Sequence, residues 1–253
     1  MGRFVILSGP SCAGKGPLVS AMERLYPHTA RDLAQLVLYN DRPPRPGERD
    51  GVDYHFRTTE QIEALREQDG YLVMKVRADL QAVDLGELAD RLAGGDVFFE
   101  GNPFVGCELL SAPLPEGAER CSAFLSPLSR EEILFSREPE RNVDLPDFVT
   151  DVMRRKLLRR TRRQKTNLSR PDLEDVETRA GSAYREMRQA HRFDRVIPNH
   201  DGEDSENWDA FAYPVGDARK ALLAFVALLA GDPAPAGTEQ WEPDLLPEAF
   251  RLA

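Results

Sequence analysis

A chain of 253 residues, 41% hydrophobic and 30% charged, suits one domain with a real core, or one domain carrying a sizeable insertion. Its formal net charge of −10 argues against a general nucleic-acid binder and leaves a local basic patch open. Three cysteines make no disulfide framework, the longest apolar stretch (ALLAFVALLAG, from Ala221) is too short to span a bilayer, and no leader pattern opens the chain, so a soluble, cytoplasmic protein is expected.

In chain order, RFVILS (3–8) is a continuous apolar run with β-branched residues, a strand covered on both faces. KGPLVSAMERLY sets Leu18, Met22 and Leu25 at helical spacing, with Pro17 in the first turn. LAQLVLY (33–39) reads as a second strand before the turn-rich NDRPPRPGERDG. TTEQIEALREQDG reads as a helix capped by Thr59, apolar at Ile62 and Leu65 and stopped by Gly70. A strand, YLVMKVRA, and a helix, LGELADRLAGGD, follow, then the strands VFFEGN (97–102) and CSAFLSP (121–127). LSREEILFS pairs Ser129 with Glu132 as a capping box. A basic helix is expected from about Phe148 to Lys165 and another over DLEDVETRAGSAYREMRQAH, with FDRVIPN (193–199) as last strand and ARKALLAFVALLAG as last helix. Residues 232–253, rich in proline and acid, read as a tail. Strands alternating with helices imply a parallel α/β sheet.

The first strand and helix are joined by GPSCAGKG, in which Gly9, Gly14 and Lys15 fit G-x-x-x-x-G-K-[ST]. Backbone N–H groups and the helix N-terminus can cradle phosphate there, which makes Gly9, Pro10, Ser11, Cys12, Ala13, Gly14, Lys15 and Gly16 candidate binding residues. The alternative is a tight turn with an ordinary surface lysine. Gly16 stands where a hydroxyl normally enters the Mg²⁺ shell, a place another water can take, so weakened metal binding is expected. Cys12 reads as a small filler, or as an oxidation-sensitive thiol if the N–H groups favour its thiolate.

DRPPRPGERDGVDYHF (41–56) resembles the acceptor segment of guanylate kinases, T-T-R-x-P-R-x-G-E-x-x-G-x-D-Y-x-F, with Arg42, Pro44, Arg45, Gly47, Glu48, Gly51, Asp53, Tyr54 and Phe56 in register. GPSCAGKG also resembles that family's loop G-P-S-G-[AST]-G-K-S. The resemblance covers residues 3 to about 100 well, and 120 to 230 with a large insertion. It implies a P-loop NTPase-type parallel sheet with helices on both faces, within a domain spanning 1–231. An acceptor-binding region would occupy about 36–95, and a helical lid with a basic insertion about 136–190. It further implies a kinase that passes the γ-phosphoryl of ATP, with Mg²⁺, to a phosphate-bearing acceptor. Arg42, Arg45 and Tyr54 would hold the acceptor phosphate, with Glu48 and Asn102 nearby. Glu100 takes the Walker B acidic place and would guide Mg²⁺ through water, a capped strand end being the alternative. Asn199 matches an Asn near the adenine of ATP, and Arg179 matches a family arginine.

The basic stretch MRRKLLRRTRRQK (153–165) holds eight basic residues in thirteen. Arg159, Arg160, Arg162 and Arg163 are lid candidates for the transferring phosphoryl group. Such uncompensated charge implies an anionic partner, with nucleic-acid phosphate as a second possibility and a solvated face as the bland one. Trp208 offers a stacking surface, and the four histidines show no metal-ligand grouping. In a gapless alignment the family's guanine readers fall on Val73, Ala82 and Asp84, and an acceptor-phosphate serine falls on Leu38. The expected acceptor is therefore a nucleoside monophosphate other than GMP, or a sugar phosphate, unless the alignment slips around 73–84. The rival expectation is a non-catalytic guanylate kinase-like module that binds a phosphorylated partner; the oligomeric state is left open.

Overall fold

The structure, a computed structural model, describes residues 1–45 and 47–248. Its elements run β1 (Arg3–Ser8), α1 (Lys15–Leu25), α2 (Pro27–Arg31), β2 (Leu33–Gln35), β3 (Tyr39–Asn40), β4 (His55–Phe56), α3 (Thr59–Glu63), β5 (Tyr71–Val76), β6 (Asp79–Asp84), α4 (Leu85–Gly94), β7 (Asp96–Gly101), α5 (Pro103–Ser111), β8 (Glu119–Ser126), α6 (Arg130–Ser136), α7 (Leu145–Gln164), α8 (Arg170–Met187), β9 (Arg195–Pro198) and α9 (Gly216–Leu229). A five-stranded sheet has the order β2-β7-β1-β8-β9, and a four-stranded one the order β4-β3-β6-β5. In the larger sheet β2 pairs with β7, and β8 with β9, in parallel. Phe4, Val5, Ile6 and Leu7 of β1 are fully buried, as an unbroken apolar run predicts for a strand covered on both faces. Among the described residues, no helix is long and apolar enough to cross a membrane.

By internal packing the chain falls into two compact units. The first comprises residues 1–6, 31–100 and 104–121. Here LAQLVLY is not one strand. Leu33–Gln35 joins the large sheet, and Tyr39–Asn40 joins the small one. The buried Leu36, Val37 and Leu38 lie between them. An apolar run shows that a segment is buried; it does not show which sheet claims each half. The helix cap is Thr58, not Thr59: Thr58 accepts from the Gln61 amide in a reciprocal box, while the Thr59 hydroxyl donates to Asp41. Strand β6 and helix α5 were not anticipated. The β5–β6 hairpin turns through Arg77, whose φ of 57° is left-handed and unusual for a non-glycine residue.

Alternation sorts the small sheet into two faces. Tyr39 lies opposite His55 and Ala82, and Ala82 lies opposite Val73; this face packs on Ile62 and Leu80. Asn40 is in register with Phe56 and Gln81, and Gln81 with Met74, so these four share the other face.

The second unit comprises residues 7–30, 101–103 and the chain from 122. Helices α7 and α8 pack together, and α9 packs on α1 and β9. Ser129 and Glu132 form the expected capping box of α6, and Ser169 caps α8 in the same way with Asp172. The segment expected as a tail folds back instead. Val196 and Glu239 exchange backbone hydrogen bonds at 2.8 and 2.7 Å, Trp241, Leu245 and Leu246 are buried, and Arg130 pairs with Glu242. Composition concealed this, because three large apolar residues among prolines and acids suffice to dock a segment.

Candidate donor and acceptor sites

In the second unit, residues 9–14 turn from β1 into α1. Gly9 (φ 159°) is extended and Gly14 (φ 103°) is in the glycine-only region, where it serves as N-cap of α1 without any side-chain cap. No acidic side chain lies in the first turn of α1, so its N–H groups face no competing carboxylate from the helix itself. A Cβ on Gly14 would come within 2.5 Å of Asn199 Nδ2 and 2.7 Å of the Asp201 carbonyl, so only glycine fits. The Lys15 ammonium, almost fully buried, donates to the carbonyls of Gly9 (2.9 Å) and Pro10 (3.1 Å).

Cys12 occupies a left-handed position (φ 69°) and is buried. Burial first, then the Glu203 carboxylate, push its thiol far above the ordinary range. The low-pKa thiolate considered from sequence is thereby overturned, because loop N–H groups do not outweigh burial among acids. Cys12 is a filler.

The loop after β9 packs on this turn. Asn199, fully buried, donates from Nδ2 to the Ala13 carbonyl (2.8 Å) and the Asp201 carbonyl (2.6 Å). Its carboxamide thus ties one loop to the other. Trp208 is also buried, its indole N–H donating to the Asp201 and Gly202 carbonyls, so it is no open stacking surface. The Asp201 carboxylate accepts from Ser205, Asn207 and the Ala218 amide. Burial works to raise its pKa, and these bonds outweigh it, leaving it below the usual value.

The arginines of α7 meet that loop. Arg159 grips Asp204 through Nε and a terminal nitrogen, both at 2.7 Å, and Arg163 reaches Glu206 at 3.1 Å. Lys156, buried, donates to the His200 carbonyl (2.5 Å) and lies 3.4 Å from Asp204. Elsewhere Arg154 pairs with Glu177 and Lys165 with Asp172. Arg154, Lys156, Arg159, Arg163 and Lys165 are therefore compensated within the protein, against the reading of the stretch as uncompensated charge. The acids responsible lie 7–48 residues downstream, beyond any local charge count. The buried Arg160 Nε, by contrast, has no hydrogen-bond partner among the described residues. Arg179 of α8 is largely buried and pairs with Asp175 at 2.9 Å. Asn102 donates to Glu186 at 2.9 Å in this same unit.

Of the acceptor candidates, Arg42, Arg45, Glu48 and Tyr54 gather in the first unit, whereas Asn102 belongs to the second. Arg42 makes a fork with Glu48, at 2.7 and 2.6 Å, and Glu48 also accepts from the Arg45 amide at 2.7 Å. Burial works to lower the Arg42 pKa, but Glu48 outweighs it and pushes it up; Arg42 in turn holds the Glu48 carboxyl below its usual value. The Arg42 guanidinium lies 5.1 Å from the Tyr54 ring centre and 5.6 Å from that of Phe56. Burial pushes the Tyr54 phenol up, with Arg42 opposing and Glu100 adding to the rise, so Glu100 falls within electrostatic reach of this cluster. Asp79 is likewise pushed up, by burial and then Asp41. Val73 and Ala82 lie on the sheet face away from Phe56.

Comparison with known proteins gives the same answer as the motifs. The family model described as guanylate kinase matches residues 1–78. A guanylate kinase of Synechococcus sp. (strain JA-3-3Ab) is 31% identical over 216 residues, covering 84% of this chain and 83% of the relative. The chain belongs to the guanylate kinase family. A Mycobacterium sp. (strain MCS) guanylate kinase is 35% identical over 157 residues, 59% of this chain and 73% of the relative. In fold, the guanylate kinase of Anaplasma phagocytophilum superposes with a TM-score of 0.50 at 16% identity, covering 94% of this chain and 89% of that one. The protein is thus a guanylate kinase-like phosphotransferase on a P-loop α/β sheet.

Among the described residues of this guanylate kinase-family chain, no three or more His, Cys, Asp or Glu gather as a metal cage. Mg²⁺ keeps several waters and leans on substrate phosphates, so its use does not require such a cage. Gly16 has room for the hydroxyl it lacks, since a Cβ there would meet nothing within 4 Å. Gly16→Ser should fold as the parent does and lower the Mg²⁺ concentration for half-maximal transfer by about tenfold. A magnesium titration at saturating nucleotide checks this; an unchanged midpoint would show that water already serves in that place.

Proposed function

We propose that the protein transfers the γ-phosphoryl group of ATP to a nucleoside monophosphate. ATP with Mg²⁺ is the cofactor pair of the guanylate kinase family. The observation that carries the reading is the Arg42–Glu48 fork against Tyr54 and Phe56, a preset receptor for a phosphomonoester in a chain that also keeps the glycine-rich loop and Lys15. ATP bound with Mg²⁺ supplies the phosphoryl group and its neutralising cation.

The chain's own residues do the rest by position and charge. The N–H groups of residues 11–16 and the α1 N-terminus hold the donor phosphates. Lys15 exchanges the Gly9 and Pro10 carbonyls for phosphate oxygens. Arg159 and Arg163 exchange Asp204 and Glu206 for the transferring group, and Glu100 would help hold Mg²⁺ when it is bound. Arg42, Arg45 and Tyr54 hold the acceptor phosphate.

Val73 and Ala82 pack on an apolar cluster, so their identity says little about the acceptor. The face that bears Phe56 presents Gln81, Met74 and, by alternation, the Asp79 carboxylate. One carboxylate among neutral neighbours pairs only part of a base edge, so base selection is loose, and GMP is one acceptor among several. A turnover assay with ATP and a panel of GMP, AMP, CMP, UMP and ribose 5-phosphate tests this. The expected outcome is transfer to GMP with less than about a hundredfold preference over the next nucleotide, against the 10⁴–10⁵ reached by sites that pair every edge group. No transfer to any nucleotide would refute the kinase; strict selection of GMP would refute the loose base site.

A further inference from the structure

We propose that Asn40 is a binding residue for the acceptor's phosphate, donating from Nδ2 to a phosphate oxygen beside Arg42. The inference rests on the acceptor handle proposed above and adds a residue outside the matched motif positions. Asn40 is 1% exposed. Its Oδ1 accepts the Arg42 backbone N–H at 3.1 Å, which sets the plane of the carboxamide. Its Nδ2 is buried and has no hydrogen-bond partner. An amide donor left so is costly, and the cost falls away when an acceptor oxygen arrives.

Register fixes where the side chain stands. Asn40 is paired with Phe56 and Gln81, and the Arg42 guanidinium lies over the rings of Phe56 and Tyr54. Asn40 therefore shares a face with the residues that would grip a phosphomonoester. Two residues earlier, Leu38 is buried and offers only hydrocarbon. Three of the five guanidinium N–H groups of Arg42 are engaged by Glu48 and the Pro43 carbonyl, so a tetrahedral anion needs donors besides Arg42. A neutral carboxamide at the strand end meets that need without adding charge.

Asn40→Asp isolates the donor. It keeps an oxygen for the Arg42 amide and nearly the same shape, and it turns Nδ2 into an anionic oxygen that repels phosphate. Titration calorimetry with GMP and with ribose 5-phosphate, on wild type, Asn40→Asp and Asn40→Ala, reads the effect, with thermal denaturation as the control for folding. Both probes should bind at least tenfold more weakly to Asn40→Asp and less severely so to Asn40→Ala, with ATP affinity unchanged within twofold. In turnover the acceptor KM should rise more than kcat falls. Binding of either probe within twofold of wild type in the folded Asn40→Asp protein would overturn the assignment. Weakening for GMP alone would move Asn40 to the base and overturn the phosphate role. Wild type that binds ATP and neither probe would refute the acceptor handle and this role together. Normal probe binding without transfer would refute only the kinase reading, leaving the comparison of variants to decide Asn40.

Discussion

Replacing Lys15 by methionine should lower phosphoryl transfer by a factor of about 10² to 10³, the usual cost of removing one group aimed at developing transition-state charge. Methionine fills nearly the same volume, so the loss is chiefly electrostatic. The resting protein also loses two hydrogen bonds, to the Gly9 and Pro10 carbonyls, at about 1 kcal/mol each. Single-turnover kinetics paired with thermal denaturation separates the two effects. A variant that melts a few degrees early yet keeps transfer within tenfold would reduce Lys15 to a stitch in the loop.

Gly202→Ala has the largest expected effect on stability. Its φ raises no objection to a side chain, but space does. A Cβ would overlap the Cys12 carbonyl oxygen and come within 2.8 Å of Asp204 Oδ1 and 2.9 Å of Lys156 Cε. Backbone on one side and a buried ion pair on the other leave nothing flexible to yield, so about 1–3 kcal/mol of overpacking is expected. Because the phosphate loop rests on this contact, ATP affinity should fall along with the melting temperature. Chemical denaturation and nucleotide titration give both numbers. A fully stable Gly202→Ala protein would mean that the loop after β9 can lift away without cost.

Much of this fold is readable from local chemistry. The buried run at β1, the Ser129 box and the glycine-lysine turn each follow from a few adjacent residues. Arg42, Arg45, Glu48 and Tyr54 are likewise recoverable, since they sit within thirteen positions of one another. What escapes reading depends on distant partners. Asp204 and Glu206 answer Arg159 and Arg163 across more than forty residues, which spacing along α7 cannot disclose. Val73 and Ala82 pass for site positions until the hairpin register puts them on the face with Ile62. Asn40 looks like the start of a turn; its buried, partnerless amide becomes visible only once β3, β4 and β6 are paired.

The docking of residues 239–246 has a consequence for how the protein behaves in crowded solution. β9 ends the order of the larger sheet, and a terminal strand with open N–H and C=O groups invites a strand from another molecule. Glu239 takes both groups of Val196, while Trp241 lies buried close behind it in sequence. The acidic, proline-bearing segment thus works as a guard rail: it ends the ladder with a single residue pair, and prolines nearby discourage its extension. Colloidal stability, which the net charge of the chain already favours, is here written into the last stretch of backbone as well.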